Sequence, residues 1–276
     1  MRLGGPVKAQ DPDGWVKEII ELGYTAGTIP KNVGIKDTEL QDAFVKAAHV
    51  EDIIIAEVGA WSNPISPNEE ERIKALEYCK EQLTIADRMR AQCCVNISGS
   101  KGPKWTSPHP DNMSEDTFTL IVDTVREIID SVKPKETFFT LEPMPWIFPY
   151  DINTYLRLIK AIDRERFGVH LDPVNMITSL EKYYNNSEFL KDCFKKLGLY
   201  IKSVHAKDII LQDMLTFHLD EVRPGKGTLN YGVFLVEMNK LPKDTSFLLE
   251  HLPNEEEYKL GADFVRSIAK KKGITL

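Results

Sequence analysis

The sequence has no apolar run long enough to cross a membrane. Its most apolar runs, such as residues 53–56, fall far short of the ~20 residues that a spanning helix needs. Residues 1–6 (MRLGGP) also lack the apolar core of a signal peptide. The sequence therefore predicts no membrane association and a cytoplasmic location.

Cysteine is scarce and is not spaced for metal binding. Only four cysteines are present, at positions 79, 93, 94 and 193, and no CxxC motif occurs among them. A disulfide framework or a zinc knuckle would require regular spacing. We expect reduced thiols that pack in the core.

Basic residues are fewer than acidic ones. The 276 residues include 35 Lys and Arg against 42 Asp and Glu, a net charge of −7. A nucleic-acid binder usually needs a basic surface to neutralise phosphates, so this balance argues against such a partner. With 42% hydrophobic and 28% charged residues, the composition is that of a folded globular protein and excludes a disordered chain.

Short β-branched runs alternate with helical patterns along the whole chain. The predicted strands lie near residues 4–7, 24–29, 53–58, 93–97, 137–142, 167–172, 200–205 and 246–250. Eight strands that alternate with eight helical stretches, without a linker, indicate one α/β domain over residues 1–276, a closed (β/α)8 TIM barrel. An open doubly wound sheet is the alternative. It would need a Gly-rich turn after the first strand, and residues 7–12 (VKAQDP) do not form one.

Four consecutive predicted strands end in a residue that can bind a metal. They are Glu142, Asp172, His205 and Glu250. In this fold the chemistry lies at the carboxyl ends of the strands. Because strand side chains alternate, an apolar residue precedes each candidate and faces the helices, which directs all four candidates to the barrel mouth. The set predicts one divalent metal ion, Mn²⁺ or Mg²⁺, with Co²⁺ or Zn²⁺ as alternatives.

The motifs around these residues resemble a known family. Glu142-Pro143, Asp172-Pro173 and residues 205–208 (HAKD), with Glu250 on the last strand, look like the xylose-isomerase-like barrel of sugar-phosphate isomerases and epimerases, which includes the ketose 3-epimerases. The resemblance implies a metal held by the four residues and bound to vicinal oxygens of a sugar. It also implies that Glu142 and Glu250 act as acid and base on opposite faces of one carbon.

The sequence departs from the 3-epimerase pattern at two positions. Those enzymes carry a His three residues after the strand-six Asp, where this chain has Asn175. They also carry an Arg after strand seven, for which Arg223 is the candidate here. Further candidate substrate contacts near strand ends are Lys207, Trp146, Trp61, Glu57 and Asn96. Each of these residues has ordinary packing or solvation as its alternative.

Two predicted loops carry information about the substrate and about possible partners. Residues 98–116, rich in Gly, Pro and Ser, predict a lid over the mouth or a contact with a second copy or a small partner subunit. Residues 225–227 (GKG) suggest a phosphate site, but Glu255, Glu256 and Glu257 in the first turn of the last helix would repel a dianion. We therefore expect an unphosphorylated sugar, polyol or glycoside as the substrate.

Four functions compete for this sequence. The first is a metal-dependent sugar isomerase or epimerase of carbohydrate metabolism that works through an enediolate. The second is a lyase of the same barrel, such as an inosose dehydratase or a C-glycoside-cleaving subunit, since β-elimination also follows enolisation. A DNA-repair endonuclease would need several additional histidine ligands for a trinuclear zinc cluster, and of the six His of the chain only His205 is placed as a ligand. A non-catalytic sugar-binding barrel would not require both Glu142 and Glu250.

Overall fold

Eight parallel strands close into a barrel in the computed structural model, which describes residues 1–276. The barrel strands are β1 (Arg2–Gly5), β2 (Ala26–Thr28), β3 (Ile54–Gly59), β4 (Cys93–Asn96), β5 (Phe139–Leu141), β6 (Phe167–Leu171), β7 (Ile201–Ala206) and β10 (Ser246–Leu249). Each strand pairs with its neighbours in chain order, and β10 closes the barrel between β7 and β1. The predicted (β/α)8 TIM barrel is confirmed.

Helices cover the outside of the barrel. They are α1 (Pro12–Glu21), α2 (Thr38–Val50), α3 (Glu69–Arg88), α4 (Glu115–Val132), α5 (Ile152–Ile162), α6 (Leu180–Tyr184), α7 (Asn186–Leu197), α8 (Tyr231–Met238) and α9 (Glu255–Lys272). A 3₁₀ turn, Pro110–Met113, precedes α4. No helix is both long enough and apolar enough to cross a membrane.

Side-chain caps fix where several helices begin. Asp11 caps α1, because its carboxylate accepts a hydrogen bond from the Gly14 amide. Pro12 follows it as the first residue of the helix. Asp151 and Thr154 form a reciprocal capping box at the start of α5. Asn254 caps α9, with its side chain accepting from the Glu257 amide. These caps orient each helix to lay its apolar face on the strands.

The main hydrophobic core lies between the strands and the helices. It includes Trp15, Phe44 and Tyr155 on helices and Phe247 on the last barrel strand, all fully buried. The helical spacing of the apolar residues on α3 predicts that Ile73 faces the core, but it is 52% exposed and this prediction is wrong. All four cysteines are free and buried, as expected.

An antiparallel hairpin follows the seventh barrel strand and was not predicted. Strands β8 (Asp208–Gln212) and β9 (His218–Val222) pair over their full length. Their turn, residues 213–217 (DMLTF), contains no Gly, Pro or Asn, so it lacks the usual turn signal. The hairpin stands beside the barrel mouth because it starts shortly after His205.

Residues 98–116 form a bonded segment rather than a bare loop. Ser100 and Asn112 are buried within it, and the Asn112 carboxamide oxygen accepts from the Lys101 amide at 2.8 Å. The Asn63 side chain also bonds to both the amide and the carbonyl of Ser100. These contacts explain how a stretch rich in Gly and Pro takes a defined conformation. The lid or partner contact expected of this segment stays a prediction.

Candidate metal centre

The four predicted metal ligands meet at the barrel mouth. Glu142, Asp172 and Glu250 each directly follow a barrel strand, and His205 lies near the end of β7. Those strands, β5, β6, β7 and β10, are consecutive around the barrel. One atom from each of the four side chains lies within 4.8 Å of the others. The structure therefore brings together the four side chains that strand alternation in the sequence predicted to meet.

The His205 ring points one nitrogen at the carboxylates. Nδ1 lies 2.9 Å from Glu250 Oε2, 3.3 Å from Glu142 Oε1 and 3.9 Å from Asp172 Oδ2. Because only 3% of His205 is exposed, these oxygens and the ring nitrogen face one another with little water between them. This arrangement gives three carboxylates and one imidazole nitrogen a common focus.

A buried ammonium group joins the cluster. Lys207 Nζ lies 2.8 Å from both Asp172 Oδ2 and Glu250 Oε2. It is also 3.6 Å from Glu142 Oε1 and 3.5 Å from Glu221 Oε2. The sequence suggested that Lys207 contacts a substrate oxygen, with a rim position as the alternative. Its 1% exposure rules out the rim position.

The donor set fits a divalent cation. Asp172 Oδ2 and Glu250 Oε2 are buried and have no hydrogen-bond donor, since Lys207 Nζ approaches both at angles unsuited to a hydrogen bond. Buried carboxylates are costly unless cations neutralise them, and Lys207 places one positive charge beside the three carboxylates of Glu142, Asp172 and Glu250. An oxygen-rich set with one imidazole suits Mn²⁺ or Mg²⁺. These residues are therefore able to hold such an ion, and their chemistry does not choose between the two metals.

The close charges shift the pKa values of Glu250 and His205 in opposite directions. Burial disfavours the ionised Glu250, but the charges of His205, Lys207 and His251 outweigh burial and hold the pKa of this carboxyl well below its usual range. Burial likewise disfavours the imidazolium of His205, yet the carboxylates of Glu250, Glu57 and Glu142 raise its pKa well above the ordinary value. The mouth therefore keeps the Glu250 carboxylate ionised.

Glu57 lies beneath the cluster rather than on the open surface of the mouth. Its carboxylate is 3.2 Å from His170 Nδ1 and 3.5 Å from His205 Nε2, and it accepts a short hydrogen bond from the Ser203 hydroxyl. Burial opposes its ionisation, but the two histidines hold the pKa of Glu57 well below its usual range. His170 is fully buried, as expected of a core histidine.

Asn175 contacts a predicted ligand. Its Nδ2 donates to Glu142 Oε1 at 3.0 Å, and its backbone amide donates to Asp172 Oδ1 at 3.1 Å. The residue that replaces the histidine of the 3-epimerases thus holds both carboxylates in place. An amide in this role orients the carboxylates and carries no proton between them.

Asn96 does not face the mouth. Its side chain points to α3, where it accepts from the Ser62 amide at 3.2 Å and lies 3.4 Å from Cys79 Sγ. The neighbouring Val95 pairs with Thr140, which precedes Glu142 by two residues, so Val95 is the residue with inward parity. The expectation that Asn96 contacts a substrate is therefore wrong.

Arg223 forms an ion pair with the last helix, α9. Its Nε donates to Glu257 Oε2 at 2.7 Å, and its Nη1 donates to the Pro224 carbonyl at 3.2 Å. An arginine that compensates a carboxylate in the first turn of α9 is held away from the four ligands. The structure gives no support to Arg223 as the substrate-binding arginine.

The two tryptophans have different positions. Trp61 lines a cavity of about 420 Å³ that reaches Glu57, His205 and Glu250. A Cβ at Gly59 would lie 2.4 Å from its indole nitrogen, so only glycine allows the ring to rest on the end of β3. Trp146 instead donates from Nε1 to the Thr106 carbonyl at 3.0 Å and joins the segment after β5 to residues 98–116.

The glycine loop after β9 is already occupied by a carboxylate of the chain. Asp208 accepts from the amides of Gly225 and Gly227 through Oδ2, and from those of Ile209 and Leu229 through Oδ1. Burial raises the pKa of Asp208, and these four amides partly offset that effect. The amides that could cradle a phosphate are therefore already bonded to a carboxylate of the chain.

Two residues of the mouth were missed. Glu221, on the hairpin, lies 3.5 Å from Lys207 Nζ and 3.2 Å from His251 Nδ1. His251 Nε2 in turn lies 3.3 Å from Glu250 Oε1. His251 directly follows Glu250, so strand alternation points its side chain away from the four ligands, and a prediction of the hairpin would have placed Glu221 at the mouth.

Several solved structures share this fold at low sequence identity. The probable 3-DHS dehydratase AsbF from Bacillus anthracis superposes with a TM-score of 0.73 at 16% identity, over 98% of this chain and 99% of that one. D-psicose 3-epimerase from Clostridium cellulolyticum gives 0.69 at 15%, over 97% and 99%. Endonuclease IV from Thermus thermophilus gives 0.72 at 15%, over 98% and 100%.

These neighbours span three kinds of reaction, so the likeness establishes the fold and leaves the reaction open. No curated protein sequence matches the chain. The family model described as the xylose isomerase-like TIM barrel matches residues 16–268, and this chain belongs to that family.

Proposed function

We propose that the chain is a divalent-metal-dependent isomerase or epimerase of a sugar or keto-sugar that works through an enediolate. The observation that carries the proposal is the focus of Glu142, Asp172, Glu250 and His205 on one point, with two buried carboxylate oxygens lacking a donor. A cation bound there would supply positive charge that polarises a substrate carbonyl and acidifies the adjacent C–H bond.

The cavity beside the cluster supports a substrate of sugar size. Its volume is about 420 Å³, and it extends from Glu250 and His205 to the ends of β1, β2 and β3. Its walls include Pro6, Ile29 and Trp61, and Gln10 and Lys31 add polar groups. Apolar and aromatic walls with a few polar groups suit a sugar ring or chain.

The two glutamates are placed to move protons at the substrate. Glu142 and Glu250 stand at the two ends of the four-strand arc, so a carbon between them would present a different face to each. Nearby positive charges hold the pKa of Glu250 low, so this carboxylate is ionised, as a proton acceptor must be, but these charges also make it a weak base in this arrangement. Asn175 donates to Glu142 and fixes its orientation, and the charged Lys207 Nζ lies 2.8 Å from Glu250 Oε2.

A lyase is the second candidate function. It is favoured by Asn175, because the 3-epimerase histidine at this position is replaced by a group that contacts Glu142 and Asp172. In a lyase the same proton abstraction is followed by loss of a β-leaving group. Both candidates use Glu142 or Glu250 as the base, and they differ only in the product.

The substrate we propose is unphosphorylated, since Asp208 occupies the glycine loop that would otherwise bind a phosphate. We also propose a cytoplasmic protein that acts on a small molecule and that binds neither nucleic acid nor a membrane. A second copy or a small partner subunit would bind through residues 98–116, where Trp105 is 40% exposed.

Proton exchange across a panel of candidate substrates tests this function. The Mn²⁺-loaded protein is incubated in D₂O with unphosphorylated keto-sugars and their phosphorylated counterparts, the metal is removed by chelation, and ¹H NMR spectra are recorded. We expect loss of one C–H signal and appearance of an epimer or isomer. An elimination product would favour the lyase instead.

The Glu237→Gln variant is a suitable control, because this buried carboxylate belongs to α8 and pairs with Lys240. It should exchange like the unmodified chain. If no member of the panel exchanges with Mn²⁺, Mg²⁺ or Co²⁺ present, the proposal of an enolising enzyme is contradicted.

A further inference from the structure

Glu57 reaches the interior of the barrel through an irregularity in β3. Along β2 and β3, Ala26 pairs with Ile54 and Gly27 with Ile55, but Thr28 pairs with Glu57 instead of Ala56. One extra residue in β3 therefore reverses the alternation, and Glu57 faces the histidines. Register shifts of this kind at barrel rims and beside active sites redirect a side chain.

The redirected carboxylate is held from several sides. The Ser203 hydroxyl donates to Glu57 Oε1, and the Ser246 hydroxyl lies 2.8 Å from the Ser203 hydroxyl. His170 Nδ1 is 3.2 Å from the same Glu57 oxygen. All of these groups are buried, so the position of Glu57 is fixed by neighbours on β6, β7 and β10.

We infer that Glu57 is a positioning residue that sets the ring orientation and the tautomer of His205. Glu57 Oε2 lies 3.5 Å from His205 Nε2, and the carboxylates of Glu142 and Glu250 lie on the Nδ1 side of the ring. An ionised carboxylate only accepts hydrogen bonds, so it favours a proton on Nε2. When a cation displaces the Nδ1 proton, the proton that remains on Nε2 faces Glu57 and the lone pair of Nδ1 binds the cation.

This inference rests on the proposed metal site, and it adds a specific cause for the affinity of that site. Partners that hold the second nitrogen of a metal-binding histidine typically contribute about 10–100-fold in metal affinity. The same three residues, Glu57, His170 and His205, are also close enough to form a metal site of their own. The experiment below separates these two roles.

The test compares Glu57→Gln with the unmodified chain and with Glu237→Gln, a buried carboxylate of α8. Gln has the shape of Glu and still accepts from Ser203, but its amide also offers a donor to His205 Nε2 and so favours the wrong tautomer. Calorimetric titration with Mn²⁺ should give one equivalent per chain throughout, with affinity about 10–100-fold lower in Glu57→Gln alone.

Two further measurements keep the inference falsifiable. Long-range ¹H–¹⁵N spectra of the Mg²⁺-loaded chain with ¹⁵N-labelled histidine should show His205 protonated at Nε2. In Glu57→Gln, protonation at Nδ1 should appear. If this variant does not fold, Ser203→Ala removes the hydrogen bond to Glu57 together with the contact to the Ser246 hydroxyl, and it should show a smaller loss of Mn²⁺ affinity.

The outcomes distinguish the possibilities. Unchanged Mn²⁺ affinity in Glu57→Gln, or an Nδ1-protonated His205 in the unmodified chain, would overturn the role of Glu57 and leave the metal site intact. Two equivalents of Mn²⁺, with one lost in Glu57→Gln, would assign the buried residues to a second metal site and overturn the inference. No metal binding by the unmodified chain would overturn both proposals.

Discussion

The two halves of the barrel mouth are built from different residues. β5, β6, β7 and β10 lead to Glu142, Asp172, His205 and Glu250, whereas β1, β2, β3 and β4 end at Gly5, Thr28, Gly59 and Asn96. We call the first set of strand ends the charged half, because it carries the four proposed ligands. We call the second set the cavity half, because the cavity lies along the ends of β1, β2 and β3. The difference indicates a division of work between binding a cation and accommodating the body of a substrate.

Removing the proposed bases should separate metal binding from turnover. Glu142→Gln and Glu250→Gln keep the size of the side chain and one oxygen for the metal, but they lose the proton acceptor. We expect turnover to fall by ~10²-fold or more in each variant, while Mn²⁺ binding is largely retained. Steady-state kinetics and calorimetric titration on the same preparations measure both quantities.

Full turnover in both variants would remove the proposed acid–base mechanism and leave the metal site untouched. Exchange of the substrate C–H bond in only one of the two variants, without epimer, would indicate a lyase that depends on a single base.

A substitution at Trp61 tests whether the cavity half binds the substrate. Trp61→Ala removes an aromatic wall of the cavity but no charged group. We expect KM to rise by roughly tenfold, the scale on which lost apolar contact affects substrate discrimination, with unchanged Mn²⁺ affinity. A variant that loses metal affinity as well as substrate affinity would contradict the division between the two halves.

A substitution at Asp208 tests how much the hydrogen bonds of the glycine loop, beside the charged half, contribute to stability. In Asp208→Asn, the amide would face the donors of Gly225 and Gly227 and leave them without an acceptor. Leaving such groups unpaired costs about 1–3 kcal/mol. Urea unfolding should show a loss of stability of this size. An unchanged unfolding midpoint would mean that the loop relaxes without these hydrogen bonds.

Limited proteolysis compares the two segments that flank the mouth. Residues 98–116 are tied down by buried Ser100 and Asn112, whereas the hairpin turn at residues 213–217 exposes 96% of Leu215. We expect the first cut in the hairpin turn. A first cut within residues 98–116 would show that the bonded conformation opens readily, as the predicted lid requires.

The sequence was sufficient for the fold and for the charged half of the mouth. Alternation in residues 137–142, 167–172, 200–205 and 246–250 is regular, so a period of two gave the direction of every ligand. Residues 93–97 (CCVNI) offer no such contrast, and Asn96 was placed on the wrong face of β4 as a result.

The remaining errors came from features that no short pattern encodes. The inward direction of Glu57 depends on a one-residue shift in pairing with β2, which only the assembled sheet reveals. The hairpin turn contains Met214, Leu215 and Phe217, and it has Thr216 at φ +43°, where a sequence reading expects Gly or Asn. Arg223 was assigned by resemblance, and its pairing with Glu257 depends on how α9 packs.

Metal binding by the four strand-end residues is the central claim, and His205 tests it most directly. Purified protein should contain or take up about one equivalent of Mn²⁺ per chain. In His205→Ala, the Mn²⁺ affinity should fall by at least the roughly 10–100-fold that is lost when only a partner of a ligand is removed, and circular dichroism should show an intact fold. Unchanged Mn²⁺ affinity in that variant, or no binding by the unmodified chain, would contradict the account.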